Sequence, residues 1–299
     1  MVKDQAGKHD TWLPIFYIIL AVLMIGTMSP VNKFLLREAR FEPLELAFSR
    51  ALMGFLVLLP ITMFWAKEEL LVLKWRDFGR LSLVGLLGVG VHYGLAIWAL
   101  QYTSVTHAIL IYCMNPSVTA ILSFFIKKER ASVMKIMGII LSFSGCMLAI
   151  TKGFQDTTAD VKIGDLIALV NMLFVSIYML LSANIVKQYG PRASNTVMFG
   201  SSALLLLVGM MIWTEPPPGD LTVLSGFLIV YLGVVTAVAY ILRYLALASL
   251  PPSTVGAFHN LVPISAILLA AVLLNEPLGL QTIIGGMTIL GGVELVRRG

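Results

Sequence analysis

The chain has 299 residues, of which 58% are hydrophobic and 12% charged, and its mean hydropathy is +0.90. No water-soluble core holds that share of apolar side chains, which excludes a soluble enzyme or a soluble nucleic-acid-binding protein. The formal net charge of +5 is therefore read as attraction to anionic lipid.

A hydrocarbon core about 30 Å thick takes roughly 20 apolar residues per helix. Apolar runs between charged or Pro/Gly breaks predict spans over 13–36, 44–65, 79–100, 104–126, 132–151, 162–186, 194–213, 222–248, 252–274 and 278–296, ten in all. The first run, Leu13 to Leu36, follows Lys3 and Lys8 as a signal peptide would. It is longer than such a segment and lacks an A-x-A-like site, so it is read as a retained span. Connections such as "QYTS" and "SLPP" are short, which predicts antiparallel hairpins and leaves no loop that holds an ATP-binding module. Cys113 and Cys146 both lie in apolar runs, so no structural disulfide is expected.

With the N-terminus inside, fourteen Lys and Arg near helix ends face the cytoplasm and five face outward. That bias predicts a multi-pass protein of the cytoplasmic membrane with both termini cytoplasmic.

An ungapped shift of 147 residues places Gly79 on Gly226, Tyr93 on Tyr240, Pro116 on Pro263, Glu129 on Glu276, Gly138 on Gly285 and Gly145 on Gly292. The match covers spans three to five and eight to ten. An odd number of spans per copy inverts the second copy relative to the first. The expected fold is thus an all-α integral membrane protein of ten transmembrane helices in two inverted five-helix repeats. They cover 1–151 and 162–299 and are joined by an extracytoplasmic loop at 152–161. Inverted repeats with interrupted helices in matching positions mark carriers whose site lies near the midplane.

The stretches "NPSVTAILSFFIKKERASVMKIMGIILSFSG" and "VPISAILLAAVLLNEPLGLQTIIGGMTILGG" share a pattern of Pro, twelve residues, Glu, eight residues and Gly. This doubled pattern, with "AFSRALMG" in the second span, resembles the EamA-type transporters of the drug/metabolite transporter superfamily. The resemblance implies a ten-helix carrier that moves amino acids or other small metabolites, most often outward. It also implies a cavity lined by spans one, three, four, six, eight and nine.

Polar side chains inside lipid-spanning helices are costly unless partnered or hydrated, so each is a candidate for the route of the solute. In span four Tyr112, Asn115 and Thr119 share one helical face just ahead of and beyond Pro116; the plain alternative is that Asn115 satisfies backbone groups freed by the proline. Phe258, His259 and Asn260 precede Pro263 in the same way, with interhelical hydrogen bonding as the alternative. Asn171, Tyr178 and Ser182 form a stripe on span six, where helix-to-helix bonding is the competing role. His92 and Tyr93 lie side by side on span three, and Tyr93 recurs as Tyr240. Arg243 shares a face with Tyr240 and Thr236; it either holds a substrate carboxylate or snorkels to headgroups.

For Arg50, near the outer end of span two, the same alternatives stand, snorkelling or a structural partner against a carboxylate-binding role; the family resemblance suggests packing or gating, with Pro116 and Pro263 as hinges. Glu129 and Glu276, at hairpin ends, are read as structural: each caps the following helix or pairs across the bundle. His107 reads as an interfacial histidine. Glycines 85, 88 and 90 permit close helix contact rather than cradle phosphate, and there is no G-x-x-x-x-G-K-[ST] motif.

No Asp or Glu lies deep in a span: Glu45, Asp165 and Glu294 all sit near ends. The expectation is a secondary transporter without cofactor, metal or ATP, which exports amino acids or similar solutes by alternating access. Proton-coupled uptake through His92 or His259 is the alternative. An intramembrane protease or lipid-modifying enzyme would need a nucleophile and base, a metal set or paired aspartates, none of which the motifs supply. The expected partners are a small molecule and the bilayer, with no nucleic acid; the sequence leaves the oligomeric state open, a monomer included.

Overall fold

The computed structural model describes residues 12–127, 132–150, 163–213, 222–249, 258 and 261–298. Among the described residues all regular structure is helical. The chain runs through α1 (Trp12–Arg37), α2 (Pro43–Trp65) and the short α3 (Lys67–Leu71). The third apolar run is α4 (Trp75–Gly85), a π-helical turn (Leu86–Val91) and α5 (His92–Tyr102) in unbroken succession. The fourth is split into α6 (Val105–Cys113) and α7 (Asn115–Lys127). Then come α8 (Val133–Ile150), α9 (Ile163–Tyr189), α10 (Pro191–Trp213), α11 (Val223–Ser249), α12 (Leu261–Leu274) and α13 (Leu280–Arg298).

Among the described residues seven stretches are long and apolar enough to cross a membrane, and Val133–Ala149 and Leu261–Leu274 are apolar but shorter. Phe64, Phe125 and Val223 are largely exposed. That is the arrangement expected of a multi-pass membrane protein, whose outer surface meets hydrocarbon while its backbone bonds close within each helix. The protein is accordingly an all-helical, multi-pass membrane protein.

Two sets of contacts define the ends of the bundle. At one end Glu276, in the turn before α13, accepts hydrogen bonds from the N–H of Val105 at 2.8 Å, the N–H of Thr106 at 3.1 Å and the Thr106 hydroxyl at 2.9 Å. A carboxylate here satisfies two of the orphan donors at the start of α6 and meets the positive end of its dipole. Lys33 of α1 donates to the carbonyl oxygens of Leu100 and Thr103, at the finish of α5. At the opposite end Glu69 accepts from the N–H of Ala193 at 3.0 Å, capping α10. Arg192 donates to the Trp65 carbonyl at 3.1 Å, and the Tyr189 hydroxyl donates to Asp77 at 2.5 Å. Gly190 turns the chain between α9 and α10 at φ +78, a left-handed conformation that favours glycine.

Helices α8 and α13 pack backbone against backbone. A Cβ on Gly138 would stand 2.6 Å from the Gly292 carbonyl oxygen, and one on Gly145 would stand 2.8 Å from that of Gly285. The reverse holds at 2.6 Å for both Gly285 and Gly292. The small residues let two backbones touch where a side chain would hold them apart.

Candidate functional site

The π-helical turn places the first functional side chains. A π turn adds a residue to the helical repeat and rotates the helix beyond it, and such turns recur at functional sites. Here it lies between Gly85 and His92. A Cβ on Gly85 would stand 2.5 Å from the Cα of Met198, and one on Gly88 would stand 1.9 Å from the Tyr178 ring. The third span is thus pressed against α9 and α10 along a glycine face, which agrees with the packing role read for these glycines.

His92 comes directly after the turn. Its Nδ1 donates to Oδ1 of Asn171 on α9 at 2.8 Å. In a neutral ring this leaves Nε2 as an acceptor. The His92 ring also stacks on Tyr112 of α6, with centroids 6.1 Å apart and planes 21° from parallel, and meets Tyr93 at 5.4 Å. Tyr112 keeps 37% of its surface exposed, whereas Tyr93 keeps 3%. Four residues singled out on three separate spans are therefore one group.

Asn115 and Thr119 lie one and two turns beyond Tyr112, past a break at Met114. The Thr119 hydroxyl donates to Asn115 Oδ1 at 3.1 Å. Asn115 is buried, and its amide nitrogen has no hydrogen-bond partner among the described residues. An orphaned buried donor is expensive in a membrane core and is a group that an incoming acceptor would satisfy. The N–H of Ser117 bonds back to the Met114 carbonyl at 2.9 Å, so the break is a tight turn from α6 into α7, with Pro116 the second residue of α7. Proline at such a position loses no helical hydrogen bond.

Arg50 joins the group through Tyr93. Its guanidinium carbon stands 4.0 Å over the Tyr93 ring, its Nε donates to Thr236 Oγ1 of α11 at 3.2 Å, and Nη2 points at Met28 Sδ of α1 at 2.9 Å. Tyr93 also meets the fully buried Phe199 of α10 edge-on at 6.0 Å. Sequence reasoning placed Arg50 in a span but did not bring it to Tyr93; Met28 and Phe199 were missed outright, since nothing marks an apolar residue as a partner of a cation.

Arg50, Tyr112, Asn171, His92, Tyr93 and Met28 all lie seven to ten residues from helix ends on the Glu276 side. At 1.5 Å per residue that is about 10–15 Å beneath those ends.

The remaining candidates are more scattered. Tyr178, half-buried, directs its hydroxyl to Met198 Sδ at 3.8 Å. Phe258 packs on the apolar cluster of Ile18, Val22, Ala246 and Val262. Arg243 is half-exposed and makes no hydrogen bond or ion pair among the described residues, as suits a snorkelling side chain. Tyr240 lies within α11, and the buried Pro263 is the third residue of α12. His259, Asn260 and Glu129 lie outside the described residues. Glu276 bonds across the bundle, not to the helix that follows it.

His107, read as interfacial, is the third residue of α6. Its Nδ1 lies 3.5 Å from Oδ1 of Asp165 without a hydrogen bond between them; Asp165 is a fully buried carboxylate that accepts from the Thr103 hydroxyl at 2.5 Å. The cause is Gly164: a Cβ there would stand 2.6 Å from the Ala99 carbonyl oxygen, so α9 starts directly against the end of α5. A glycine ahead of an acid at the start of a span is the signal that could have found this contact.

Comparison with known proteins accords with the geometry. The EamA-like transporter family matches residues 12–151 and, a second time, residues 162–298. An uncharacterized transporter of Clostridium kluyveri is 26% identical over 285 residues, spanning 92% of this chain and 90% of that protein. The uncharacterized transporter YetK of Bacillus subtilis is 24% identical over 98% of this chain and 87% of its own length. A WAT1-related protein of Arabidopsis thaliana is 26% identical over 83% of this chain and 79% of its own length. One solved crystal structure shares the fold with a TM-score of 0.63 at 18% identity, over 96% of this chain and 97% of that one. The chain belongs to the EamA-like transporter family.

Proposed function

We propose that the protein is a secondary transporter that exports amino acids or similar small metabolites across a cytoplasmic membrane by alternating access, without ATP and without catalysis. The observation that carries this reading is the polar group His92, Asn171 and Tyr112, which bridges three spans in the interior of apolar helices. Such groups in a membrane protein mark solute routes. The neutral His92 ring offers Nε2 as an acceptor to a substrate ammonium, and the orphaned Asn115 amide offers a donor to a substrate oxygen.

The mechanism rests on ten spans in two inverted halves, 1–151 and 162–299, with both termini cytoplasmic. Contacts between α8 and α13 support that symmetry. Gly138 and Gly285 are equivalent under the 147-residue shift, as are Gly145 and Gly292. Gly138 meets Gly292 while Gly145 meets Gly285, the crossed pairing that a local two-fold axis generates. The double family match, one per half, supports it as well. The halves rock about the paired prolines Pro116 and Pro263 so that the central group opens to one side at a time. Outward direction and the amino-acid class come from the family resemblance.

The test is accessibility from each side. A single cysteine at Tyr112, in a chain whose Cys113 and Cys146 are replaced by Ala, is labelled with a membrane-impermeant maleimide from either face of sealed vesicles. Labelling from both faces, redistributed by a transported amino acid, supports alternation. Labelling from one face under all conditions contradicts it.

A further inference from the structure

Every partner of Arg50 among the described residues is neutral: a hydroxyl, a thioether and the face of a phenol ring. Thr236 is fully buried and donates its own proton to the Leu232 carbonyl at 2.7 Å, so it receives the guanidinium N–H on a lone pair. No carboxylate among the described residues lies within ion-pair distance of Arg50. A guanidinium carries five N–H donors. The hydroxyl and thioether engage two of them, which leaves three without a described acceptor. Neutral acceptors and a ring face lower the cost of holding this charge about 10 Å inside the helix end, but they do not neutralise it, and a charge in lipid is retained where function uses it.

The neighbours have the same character. Tyr93, under the guanidinium, touches His92, and His92 touches Tyr112. Among the described residues the group holds a guanidinium, an imidazole, phenols and an amide, with no acid. Arg50 itself is half-buried, so one side of it is still reachable.

We propose that Arg50 anchors the carboxylate of the transported solute, the guanidinium fork receiving the two carboxylate oxygens side by side while Tyr93, Thr236 and Met28 hold it in place. This rests on the carrier reading above, narrows its solutes to small carboxylic acids and assigns the residue that holds their carboxylate. It replaces Arg243, the other guanidinium within a span, as the residue for that role.

The experiment compares wild type, Arg50→Gln and Arg50→Lys in liposomes, with amino acids, their methyl esters and small phosphate monoesters as solutes. In wild type the acids are expected to be carried with about tenfold or greater preference over their esters, a loss comparable to removing one charge-assisted pair. Arg50→Gln is expected to erase that preference, with ester flux kept; Arg50→Lys recovers part of it, since an ammonium attracts a carboxylate without the planar fork. Equal loss of acid and ester flux in a folded, monodisperse Arg50→Gln protein overturns the proposal and leaves the carrier reading standing. Absence of saturable flux for every solute in wild type overturns both. If Arg50→Gln does not fold, competition against wild-type flux decides: equal inhibition by acid and ester, or inhibition by phosphate monoesters alone, overturns the carboxylate assignment.

Discussion

His92 donates through Nδ1 to the side-chain oxygen of Asn171 at 2.8 Å, and this bond ties α5 to α9 in the interior of an apolar bundle. The pair is hydrogen-bonded on one side and stacked on the partly exposed Tyr112 on the other. A bond made only to hold helices together would not need an open aromatic neighbour.

Replacing Asn171 with Leu leaves the His92 donor without its acceptor, at a cost of about 1–3 kcal/mol. The thermal midpoint of the detergent-solubilised protein should fall by several degrees. The double variant His92→Leu with Asn171→Leu should recover part of that fall, because both polar groups are gone, yet remain inactive in transport. Wild-type transport by the double variant would reduce the pair to helix packing.

Glu276 closes the start of α6 from the far side of the sequence, with three bonds to Val105 and Thr106. Glu276→Ala is expected to lose roughly 1–2 kcal/mol, the usual worth of an N-terminal cap. Glu276→Gln should lose less, because an amide oxygen still accepts while the charge facing the helix dipole is gone. Thermal melts of the two variants check the order; an Ala variant as stable as wild type would remove the capping role.

Gly145 and Gly285 are expected to tolerate no side chain. Either one changed to Leu drives its Cβ into backbone of the partner helix, where the spacing is 2.8 Å or less, and the yield of monodisperse protein should collapse. Gly226→Ala, with nothing within 4 Å of the added carbon, should express normally and gain slightly in helix stability. Tolerance of both Leu variants would mean that α8 and α13 do not pack as described.

The sequence showed a helical, multi-pass membrane protein, because repeated apolar runs of that length have few other uses, and it singled out His92, Tyr93, Tyr112, Asn115 and Asn171 as costly in lipid. It did not show that they meet. Which face of a span looks inward depends on its rotation, and the π turn at Leu86–Val91 rotates the third span without any residue that announces it except glycines. Arg50 was visible as a cation in a span, but its partners Met28, Tyr93 and Thr236 come from three other spans and none is charged, so no pattern of opposite charges pointed to them. Asp165 was correctly placed near a helix end. Its burial is due to Gly164, whose missing side chain lets the end of α5 close over the carboxylate. Position along the chain and depth in the bundle are separate quantities, and only the first is legible from hydropathy.

The central claim is that this is a two-state carrier of small solutes, and counterflow tests it most directly. Liposomes containing purified protein are preloaded with an unlabelled amino acid and diluted into a trace of the labelled compound. A carrier that exposes one site alternately to each side draws label inward transiently above its outside concentration, and the initial rate saturates. We expect that overshoot for at least one small carboxylic acid, and its absence in the His92→Leu/Asn171→Leu protein. Flux that rises linearly with concentration, with no overshoot for any solute of the panel, would contradict the account.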